Sequence, residues 1–528
     1  MDLSKYSIEE KVGQMFMVGF DGHQMNDDIL NLIVRYNVSG VCYFSRNLDT
    51  PKQVNHLSKQ LQAQAKLDFP LFLSIDQEGG MVNRITDDVL TSPSQMALGA
   101  TDNRLYIKWM SEIVAGQLKE MGLNMNYAPA IDVNNNPNNP VIGIRSFGEN
   151  VKKVSQMGTE SMLAYKRNDI IPVVKHFPGH GDTATDSHHD LPIIKHDLDR
   201  IHKVELAPFK HAIKHGADVV MVSHLNFPAV DPENPATLSY PIVTKLLREE
   251  LQFDGVITTD CMEMDAIGKN YTPAEAAVKA VKAGIDLLLF SHTYDVQRAA
   301  IDGVIEAVKS GEISEEWIDE SFIRVMNLKK KRHVSHEVDP YERDEFEFKR
   351  NAEFVQKLTD ASITVVKDDK DLLPLQEDEQ VVVLNSHADQ ASLADEQMDY
   401  KESLGQFLKK FMPHVKQYRL TLDEKTIESC QAANKIIITT NNLLRYDDQM
   451  SIVQEVVSRF NDKVIVLAKH SPYDYRAIEH VSTYIAAYDP RPSALESASR
   501  LLTGQYTNRA RLPVSISERY TAGKRYKF

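Results

Sequence analysis

The fold is predicted from the stretch IIPVVKHFPGHGDTATDSHHDLP, residues 170–192. It begins with a short apolar run typical of a buried strand, and the polar side chains of Lys175 and His176 stand near the downstream end of that run. Seven more such runs occur before about residue 330, separated by stretches with helical spacing. They are QMFMVGF (14–20), GVCYF (40–44), LFLSID (71–76), LNMNYAPA (123–130), DVVMVSH (218–224), GVITTD (255–260) and IDLLLF (285–290). Eight buried strands alternating with helices predict an α/β fold, either a closed barrel or a doubly wound open sheet.

Polar residues at the ends of these runs favour the closed barrel. A closed parallel barrel brings the downstream ends of all its strands to one mouth, where enzymes of this architecture hold their active sites. A single acidic residue at a strand end is often only a helix cap, but several converging ends are better explained by a site. We therefore predict a (β/α)8 TIM-type barrel with an active site at its mouth. The residues at these ends are Asp76, Lys175, His176, His224 and Asp260.

The composition changes after the barrel, which indicates a second domain. Between residues 327 and 351, apolar residues become rare and both signs of charge occur together, as in a solvated connector. Five further apolar runs follow, again separated by helical lengths. They are SITVV (362–366), VVVLN (381–385), KIIITT (435–440), KVIVLA (463–468) and TYIAAY (483–488). We predict a catalytic barrel at 1–335, a linker at 336–360 and a smaller α/β sandwich domain at 361–528 that buttresses the barrel.

Charge and cysteine content disfavour several classes of function. The chain has 60 basic and 75 acidic side chains and a net charge of −15, which disfavours nucleic-acid binding. Its three cysteines are too few and too widely separated for a disulfide framework, which favours a reducing cytoplasm. The first 20 residues lack a signal-peptide pattern, and no apolar run approaches the roughly 20 residues of a membrane span. We expect a cytoplasmic monomer that acts on a small substrate and binds neither nucleic acid nor membrane.

The loop after the fifth run concentrates ionisable residues, with four histidines and three aspartates between residues 174 and 192. Grouping so many ionisable side chains is costly unless they serve a common site. One interpretation is a metal site, because carboxylates and imidazoles at this spacing can share one cation. The ligands would be His176, His180 and Asp182, with His188 or His189 as a further ligand.

The other interpretation of this loop is general acid/base catalysis. The step from Asp186 to His188 is short enough for the carboxylate to accept a hydrogen bond from one imidazole nitrogen while the other nitrogen faces substrate. The glycines at 179 and 181 add backbone freedom, so the loop from Gly179 to Pro192 is expected to be mobile without ligand. Both interpretations remain open at this point.

The segment KHFPGHGDTATDSHHDLP, residues 175–192, resembles the signature of family 3 glycoside hydrolases of the β-N-acetylglucosaminidase type. The similarity is long and covers nearly the whole chain. It continues through IDQEGGMVNRI (75–85), IRSFGEN (144–150), PATLS (235–239), FDGVITTDCMEM (253–264), AGIDLLLF (283–290), and the more generic LLPL (372–375) and RLPVSI (511–516).

The resemblance implies a retaining exo-β-N-acetylglucosaminidase that needs no cofactor and no metal. Asp260 would be the nucleophile, His188 the acid/base residue and Asp186 the group that orients His188. The substrate would be a small carbohydrate, a fragment of peptidoglycan or chitin with a terminal N-acetylglucosamine. The residues implied to bind that sugar are Asp76, Arg84, Arg145, Lys175 and His176.

The nearest alternative is a β-glucosidase or β-xylosidase on the same scaffold. Related β-glucosidases use a carboxylic acid from elsewhere as the proton donor, so the Asp186–His188 step favours the N-acetylglucosaminidase. A metal-dependent hydrolase and a non-catalytic sugar-binding protein are more distant alternatives. One departure from the family pattern occurs at Met81, where the family often has an arginine after two glycines. We interpret this as the loss of a cation beside the mouth, which leaves the muramoyl or chitin-type identity of the leaving sugar open.

Overall fold

Eight parallel strands form the first half of the structure, a computed structural model that describes residues 2–183, 191–386, 402–507 and 509–526. They are β1 (Phe16–Val18), β2 (Gly40–Tyr43), β3 (Phe72–Ile75), β4 (Met125–Asn126), β5 (Ile171–Phe177), β6 (Val219–Val222), β7 (Val256–Thr259) and β8 (Leu288–Phe290). The order β8-β1-β2-β3-β4-β5-β6-β7 is completed where the Thr259 amide donates to the Leu287 carbonyl at 3.1 Å. This bond joins β7 to the chain entering β8, so the predicted (β/α)8 barrel is confirmed.

Side chains along each barrel strand alternate between the barrel interior and the surrounding helices. In β6, Val219 and Met221 belong to the cluster that fills the interior, whereas Val220 and Val222 pack beneath the helices. Because both faces of the strands are buried, apolar residues predominate in them, and polar side chains such as Lys175 and Thr259 lie towards their downstream ends. This explains why each strand was recognisable in the sequence as a short apolar run.

Helices alternate with the barrel strands and begin where their capping residues predict. Ser7 and Thr272 each accept a bond from the backbone of a glutamate three residues later, Glu10 and Glu275, and each glutamate side chain bonds back to the cap. The helices of this half are Ile8–Gly13, Asp27–Val34, Pro51–Gln64, Gln95–Ala100, Arg104–Glu120, Val151–Arg167, Leu198–Lys203, Ala207–Lys214, Pro241–Glu250, Asp265–Gly268, Pro273–Ala283, Tyr294–Lys309 and Glu315–Lys331.

A long helix occupies most of the stretch that the sequence predicted as a linker. Within 336–360, the chain becomes helical at Glu345, and this helix continues to Ser362, directly before the next strand. Its Phe354 ring packs edge-on against the rings of Tyr106 and Trp109 on a barrel helix. The mixed charges that suggested a solvated connector largely lie on the water-facing side of this helix.

The second half is a six-stranded mixed sheet with helices on both faces. The strands are β9 (Thr364–Asp368), β10 (Val381–Asn385), β11 (Lys416–Arg419), β12 (Lys435–Thr440), β13 (Val464–Ala468) and β14 (Thr483–Ala486), in the order β9-β14-β13-β12-β10-β11. Strand β9 is antiparallel to β14, and the other pairs are parallel. The helices are Leu404–Leu408, Glu424–Ala432, Asp447–Phe460 and Pro492–Leu502. Separate apolar clusters cover the two faces of the sheet, which confirms the predicted sandwich.

One strand of this sheet was not predicted from the sequence. Strand β11 lies at the sheet edge, pairs only with β10 among the described strands, and has largely exposed side chains. Its sequence KQYR has the polar character that protects an edge strand from pairing with other chains. An apolar run could therefore not mark it.

The two halves share a continuous apolar interface. Met96 and Ala97, on the barrel helix Gln95–Ala100, belong to the same buried cluster as residues of the second sheet. Ser94 donates its hydroxyl to the Tyr488 carbonyl at 2.6 Å, and Ser515 donates to the Glu149 carboxylate at 2.6 Å. The second half is therefore packed directly onto the barrel.

Met81 lies in this interface. Its side chain is 9% exposed and packs in the apolar cluster with Met96 and with residues of the second sheet. The interpretation of Met81 as a cation missing from the mouth stays a prediction. A thioether fits this apolar contact, where a charged group would lose its hydration.

Within the described residues, no helix combines the length and the apolar character needed to cross a membrane. Cys42, Cys261 and Cys430 are all buried and form no disulfide.

Candidate active site

The carboxyl ends of the barrel strands carry the predicted polar residues. Asp76 directly follows β3, and Asp260 directly follows β7. Lys175 and His176 lie near the downstream end of β5. In a parallel barrel these ends share one rim, so the strands themselves bring together residues that are far apart in sequence.

Lys175 is the centre of a buried ion network at this rim. Its Nζ lies 2.7 Å from Asp76 Oδ1 and 2.6 Å from Glu78 Oε1, and its side chain is 3% exposed. Burial opposes the charged ammonium, but the neighbouring carboxylates of Asp76 and Glu78 raise the pKa of Lys175 above its ordinary value. Lys175 therefore stays a cation that fixes two carboxylates.

Glu78 also binds Arg145 through both of its oxygens. Arg145 Nε donates to Oε2 at 2.9 Å and Nη2 donates to Oε1 at 2.8 Å, a bidentate pair in which both side chains are almost fully buried. Burial alone would favour the neutral acid, but Arg145 and Lys175 hold the pKa of Glu78 well below its usual range. This carboxylate is a permanent anion between two cations.

A second buried carboxylate, Asp132, organises two histidines. His176 Nδ1 lies 2.8 Å from Asp132 Oδ2, and the His180 amide donates to Asp132 Oδ1 at 2.7 Å. Despite burial, which favours the neutral acid, His176 and His180 lower the pKa of Asp132. The other ring nitrogen of His176, Nε2, lies 3.2 Å from Arg145 Nη2, so Asp132 orients a ring that contacts the Glu78 pair.

Arg84 completes the basic side of the rim. Its Nη2 lies 3.5 Å from Asp76 Oδ2, and its guanidinium stands over the Phe44 ring with 5.6 Å between carbon and centroid. Asp76 therefore contacts Arg84 through one oxygen and Lys175 through the other.

Asp260 is held by the barrel backbone with its carboxylate partly exposed. Its amide donates to the Val222 carbonyl at 2.9 Å, and Oδ1 accepts a bond from the Cys261 amide at 2.8 Å. His224, predicted as one of the converging polar residues, is fully buried and bonds through Nε2 to the Cys261 carbonyl at 2.8 Å. Burial raises the pKa of the Cys261 thiol to about 12, so Cys261 is a packing residue.

The match to known proteins decides the family. Residues 7–328, more than half of the chain, match the model described as the glycosyl hydrolase family 3 N terminal domain. The chain belongs to glycosyl hydrolase family 3. The resemblance found in its sequence is confirmed.

Family 3 relatives include several β-hexosaminidases. "Beta-hexosaminidase A" of Pseudoalteromonas piscicida is 35% identical over 68% of this chain, which spans 64% of that protein's length. "Beta-hexosaminidase LpqI" of Mycobacterium tuberculosis is 30% identical over 61% of this chain and 83% of its own length. A solved family 3 β-N-acetylglucosaminidase from Paenibacillus sp. str. FPU-7 is 39% identical, with a TM-score of 0.90 over 97% of this chain and 99% of that one. These similarities support glycoside hydrolase activity on a carbohydrate substrate.

Two of the three residues predicted to act in the chemical step cannot be placed. Asp186 and His188 lie outside the described residues, as does His189. The remaining predicted residues are linked to one another through the ion pairs and hydrogen bonds described above, except Asp260, which stands on the same rim after β7. They are Asp76, Arg84, Arg145, Lys175 and His176.

The metal-site interpretation of the loop does not fit the described geometry. His176 is engaged with Asp132, and His180 Nδ1 lies 2.8 Å from the Thr183 hydroxyl. Asp182 instead pairs with His196 at 2.7 Å. The predicted ligands His176, His180 and Asp182 therefore belong to two different hydrogen-bond groups and do not converge on one point.

The first part of the loop is also more firmly held than the sequence suggested. Residues 179–183 are largely buried, and a Cβ at Gly181 would overlap the Val133 carbonyl oxygen. Gly181 is therefore needed for close backbone approach and not for flexibility. Residues 184–190 lie outside the described part of the chain, and the mobility expected for the whole loop from Gly179 to Pro192 stays a prediction.

Proposed function

We propose that this protein is a retaining exo-β-N-acetylglucosaminidase. The observation that supports it most is the buried network of Asp76, Glu78, Arg145 and Lys175, which lies on the same barrel rim as Asp260. Fixed charges of both signs can bind the hydroxyl and acetamide groups of one sugar with little reorganisation. The high coverage of the match to the Paenibacillus β-N-acetylglucosaminidase adds support for this sugar.

The proposed reaction has two steps. In the first, a carboxylate oxygen of Asp260 forms a bond to the anomeric carbon while the bond to the leaving oxygen breaks, and His188 gives its proton to that oxygen. In the second, His188 takes a proton from water, the water oxygen bonds to the anomeric carbon, and the bond between that carbon and Asp260 breaks, which regenerates the free carboxylate. Asp186 would hold the His188 ring in the orientation needed for both transfers.

The proposed sugar-binding roles rest on the contacts within this network. Asp76, bridged between Arg84 and Lys175, is suited to accept hydrogen bonds from sugar hydroxyls. Arg145 and His176 are suited to bind the acetamide or a neighbouring hydroxyl, with Glu78 and Asp132 fixing their positions. On this proposal Glu78 and Asp132 are positioning residues that need not touch substrate.

Turnover of 4-nitrophenyl sugars tests the proposed substrate. The N-acetylglucosaminide is expected to be hydrolysed much faster than the glucoside or the xyloside, and EDTA is expected to have no effect. Preference for the glucoside would instead favour the β-glucosidase alternative. Binding without turnover would favour a sugar-binding protein.

Covalent labelling tests the proposed nucleophile. A slow fluorosugar substrate should leave an adduct on the peptide that contains Asp260, and Asp260→Asn should lose turnover by several orders of magnitude. Asp254→Asn is the matched control, because Asp254 is exposed and precedes the same strand at its other end. An adduct on another residue, or near-normal turnover by Asp260→Asn, would contradict the assignment.

The natural substrate and setting are part of the same proposal. We propose fragments of peptidoglycan or chitin as substrates, turned over in the cytoplasm by a monomer. The three buried, unpaired cysteines are compatible with a reducing compartment. Product analysis with defined wall and chitin fragments tests the substrate, and light scattering tests the monomer.

A further inference from the structure

Four side chains join the two segments that flank residues 184–190. They are Asp182, His196, Arg200 and Glu205, here called the Asp182 cluster. His196 Nε2 lies 2.7 Å from Asp182 Oδ2, and Arg200 Nη2 lies 3.5 Å from the same oxygen. Arg200 Nη2 also lies 3.2 Å from Glu205 Oε1. The cluster thus connects Asp182, which precedes residues 184–190, to three residues that follow them.

Glu205 anchors the cluster beneath the first part of the loop. Its side chain is 3% exposed, and it packs so closely under Gly179 that a Cβ there would lie 2.8 Å from Glu205 Cβ. Burial raises the pKa of Glu205, an effect that the Arg200 guanidinium opposes. Arg200 therefore contacts both the buried carboxylate of Glu205 and the more exposed carboxylate of Asp182.

Each flank is also bound to the barrel frame. On the upstream side, Asn139 Nδ2 donates to the His180 carbonyl at 2.8 Å and Asn136 Nδ2 donates to the Thr183 carbonyl at 3.2 Å. On the downstream side, the Asn226 amide donates to the Pro192 carbonyl at 2.9 Å. The chain is therefore held at two points close to the segment that contains His188.

We infer that Asp182 and His196 are positioning residues for the acid/base step, an inference that rests on the proposed role of His188. A general acid must lie within hydrogen-bond reach of the leaving oxygen, and a misplacement of about 1 Å can cost 100-fold in rate. The Asp182–His196 pair ties the flank that precedes His188 to the flank that follows it. Losing the pair should therefore disturb proton transfer more than sugar binding.

The same cluster offers ligand-type atoms to a metal, but Arg200 already brings a positive charge to it. Atoms of Asp182, His196 and Glu205 lie within 4.8 Å of one another. Arg200 contacts both carboxylates and supplies the positive charge that a cation would bring. The geometry therefore favours an ion-pair cluster that holds the chain.

The dependence of kcat/KM on the leaving group tests this inference. Asp182→Asn keeps the size of the side chain but removes its charge, and the pair it breaks is partly exposed, with 22% and 33% of the side chains accessible. We expect a loss of about 10- to 100-fold for N-acetylglucosaminides with poor leaving groups and less than about threefold for the 2,4-dinitrophenyl glycoside, which needs little protonation. His196→Gln should give the same pattern.

Two reference variants make the result decisive. Asp169→Asn breaks an exposed pair with Lys119 at 2.9 Å, away from the cluster, and should leave every rate unchanged. His188→Ala should show the steep leaving-group dependence itself. Suppose that His188→Ala shows this dependence, but Asp182→Asn loses kcat/KM equally on all substrates or on none of them. The positioning role is then wrong, while the proposed function stands.

Two further outcomes would also overturn the inference. A flat leaving-group profile for His188→Ala would reject the acid/base assignment and the positioning role with it. If EDTA reproduced the Asp182→Asn profile in the unmodified protein and zinc restored the rates, the cluster would be a metal site.

Discussion

Glu78 and Arg145 meet through two parallel hydrogen bonds of 2.8 and 2.9 Å, although 67 positions separate them in the chain. Glu78 follows the third barrel strand, and Arg145 lies in the loop beyond the fourth. Lys175 approaches the same carboxylate from the fifth strand at 2.6 Å. One buried anion therefore connects three neighbouring parts of the barrel rim and fixes the side chains proposed to bind the sugar.

Glu78→Gln should destabilise the protein by about 3 to 5 kcal/mol, because it leaves the buried Arg145 and Lys175 charges short of an anion. Activity should fall sharply as well, since both cations lose their fixed positions. The control Glu249→Gln breaks an exposed pair with Lys245 and should leave the free energy of unfolding nearly unchanged. Urea unfolding and kcat/KM of both variants check this; equal stability of the two would contradict it.

The sequence allowed the barrel to be predicted because every barrel strand is buried on both faces and therefore forms an apolar run. It allowed Asp76, Lys175 and Asp260 to be selected because a strand end is visible as the end of such a run. Glu78 and Asp132 were missed for a physical reason. Their importance depends on partners that only the closed barrel brings near, and each lies two residues beyond the end of a run.

The sequence does contain a signal from which the importance of Glu78 could have been predicted. Glu78 belongs to the segment IDQEGGMVNRI, which was quoted for its family resemblance, and a carboxylate in such a segment deserved a role. Met81 was interpreted from a missing charge alone, whereas the structure also packs it against the second sheet. Nothing in the sequence near Met81 indicates that a second domain covers it.

Gly181→Ala should reduce kcat/KM by about 100-fold, because its Cβ would push the chain away from the Val133 carbonyl beside the His180–Asp132 contact. Gly116→Ala is the matched control. A Cβ at Gly116 meets no atom of the described structure beyond its own helix within 4 Å, so this change should stabilise the protein by about 0.5 to 1 kcal/mol without altering activity. Near-normal rates for Gly181→Ala would contradict this prediction and would show that the backbone can shift enough to accept the added methyl group.

The stability of the protein should fall as the pH is lowered from 7.5 to 5 partly because of His180. Burial, together with the neighbouring His176, lowers the pKa of His180 to about 4, below the ordinary value of 6.5. In this range the unfolded chain binds a proton that the folded protein excludes, so the stabilising contribution is present at high pH and lost on acidification. The loss from this group should be about 2 kcal/mol at pH 5.

His180→Asn tests that attribution, because asparagine cannot titrate. Its unfolding free energy should fall by about 2 kcal/mol less than that of the unmodified protein over the same pH interval. His56→Asn, at an exposed position on the helix Pro51–Gln64, should behave like the unmodified protein. An unchanged pH dependence in His180→Asn would assign the acid sensitivity to other groups.

His188→Ala should lose at least about 100-fold in kcat/KM on a disaccharide, because the leaving sugar needs a proton. With a 2,4-dinitrophenyl leaving group the loss should be less than about tenfold, since that phenolate departs without protonation. Rates for both substrates, measured on the same preparation, check this. Equal losses on both would indicate a structural role for His188.

The shared apolar interface means that the barrel of this chain is not an interchangeable module. A barrel cut free near residue 335 would present Met81, Met96 and Ile144 to water on the face that the second sheet now covers. Such a patch favours self-association, so the fragment should be prone to aggregation even with every rim residue intact. The second domain thus keeps this apolar face of the barrel out of water. Heating should therefore unfold the two halves in one cooperative transition.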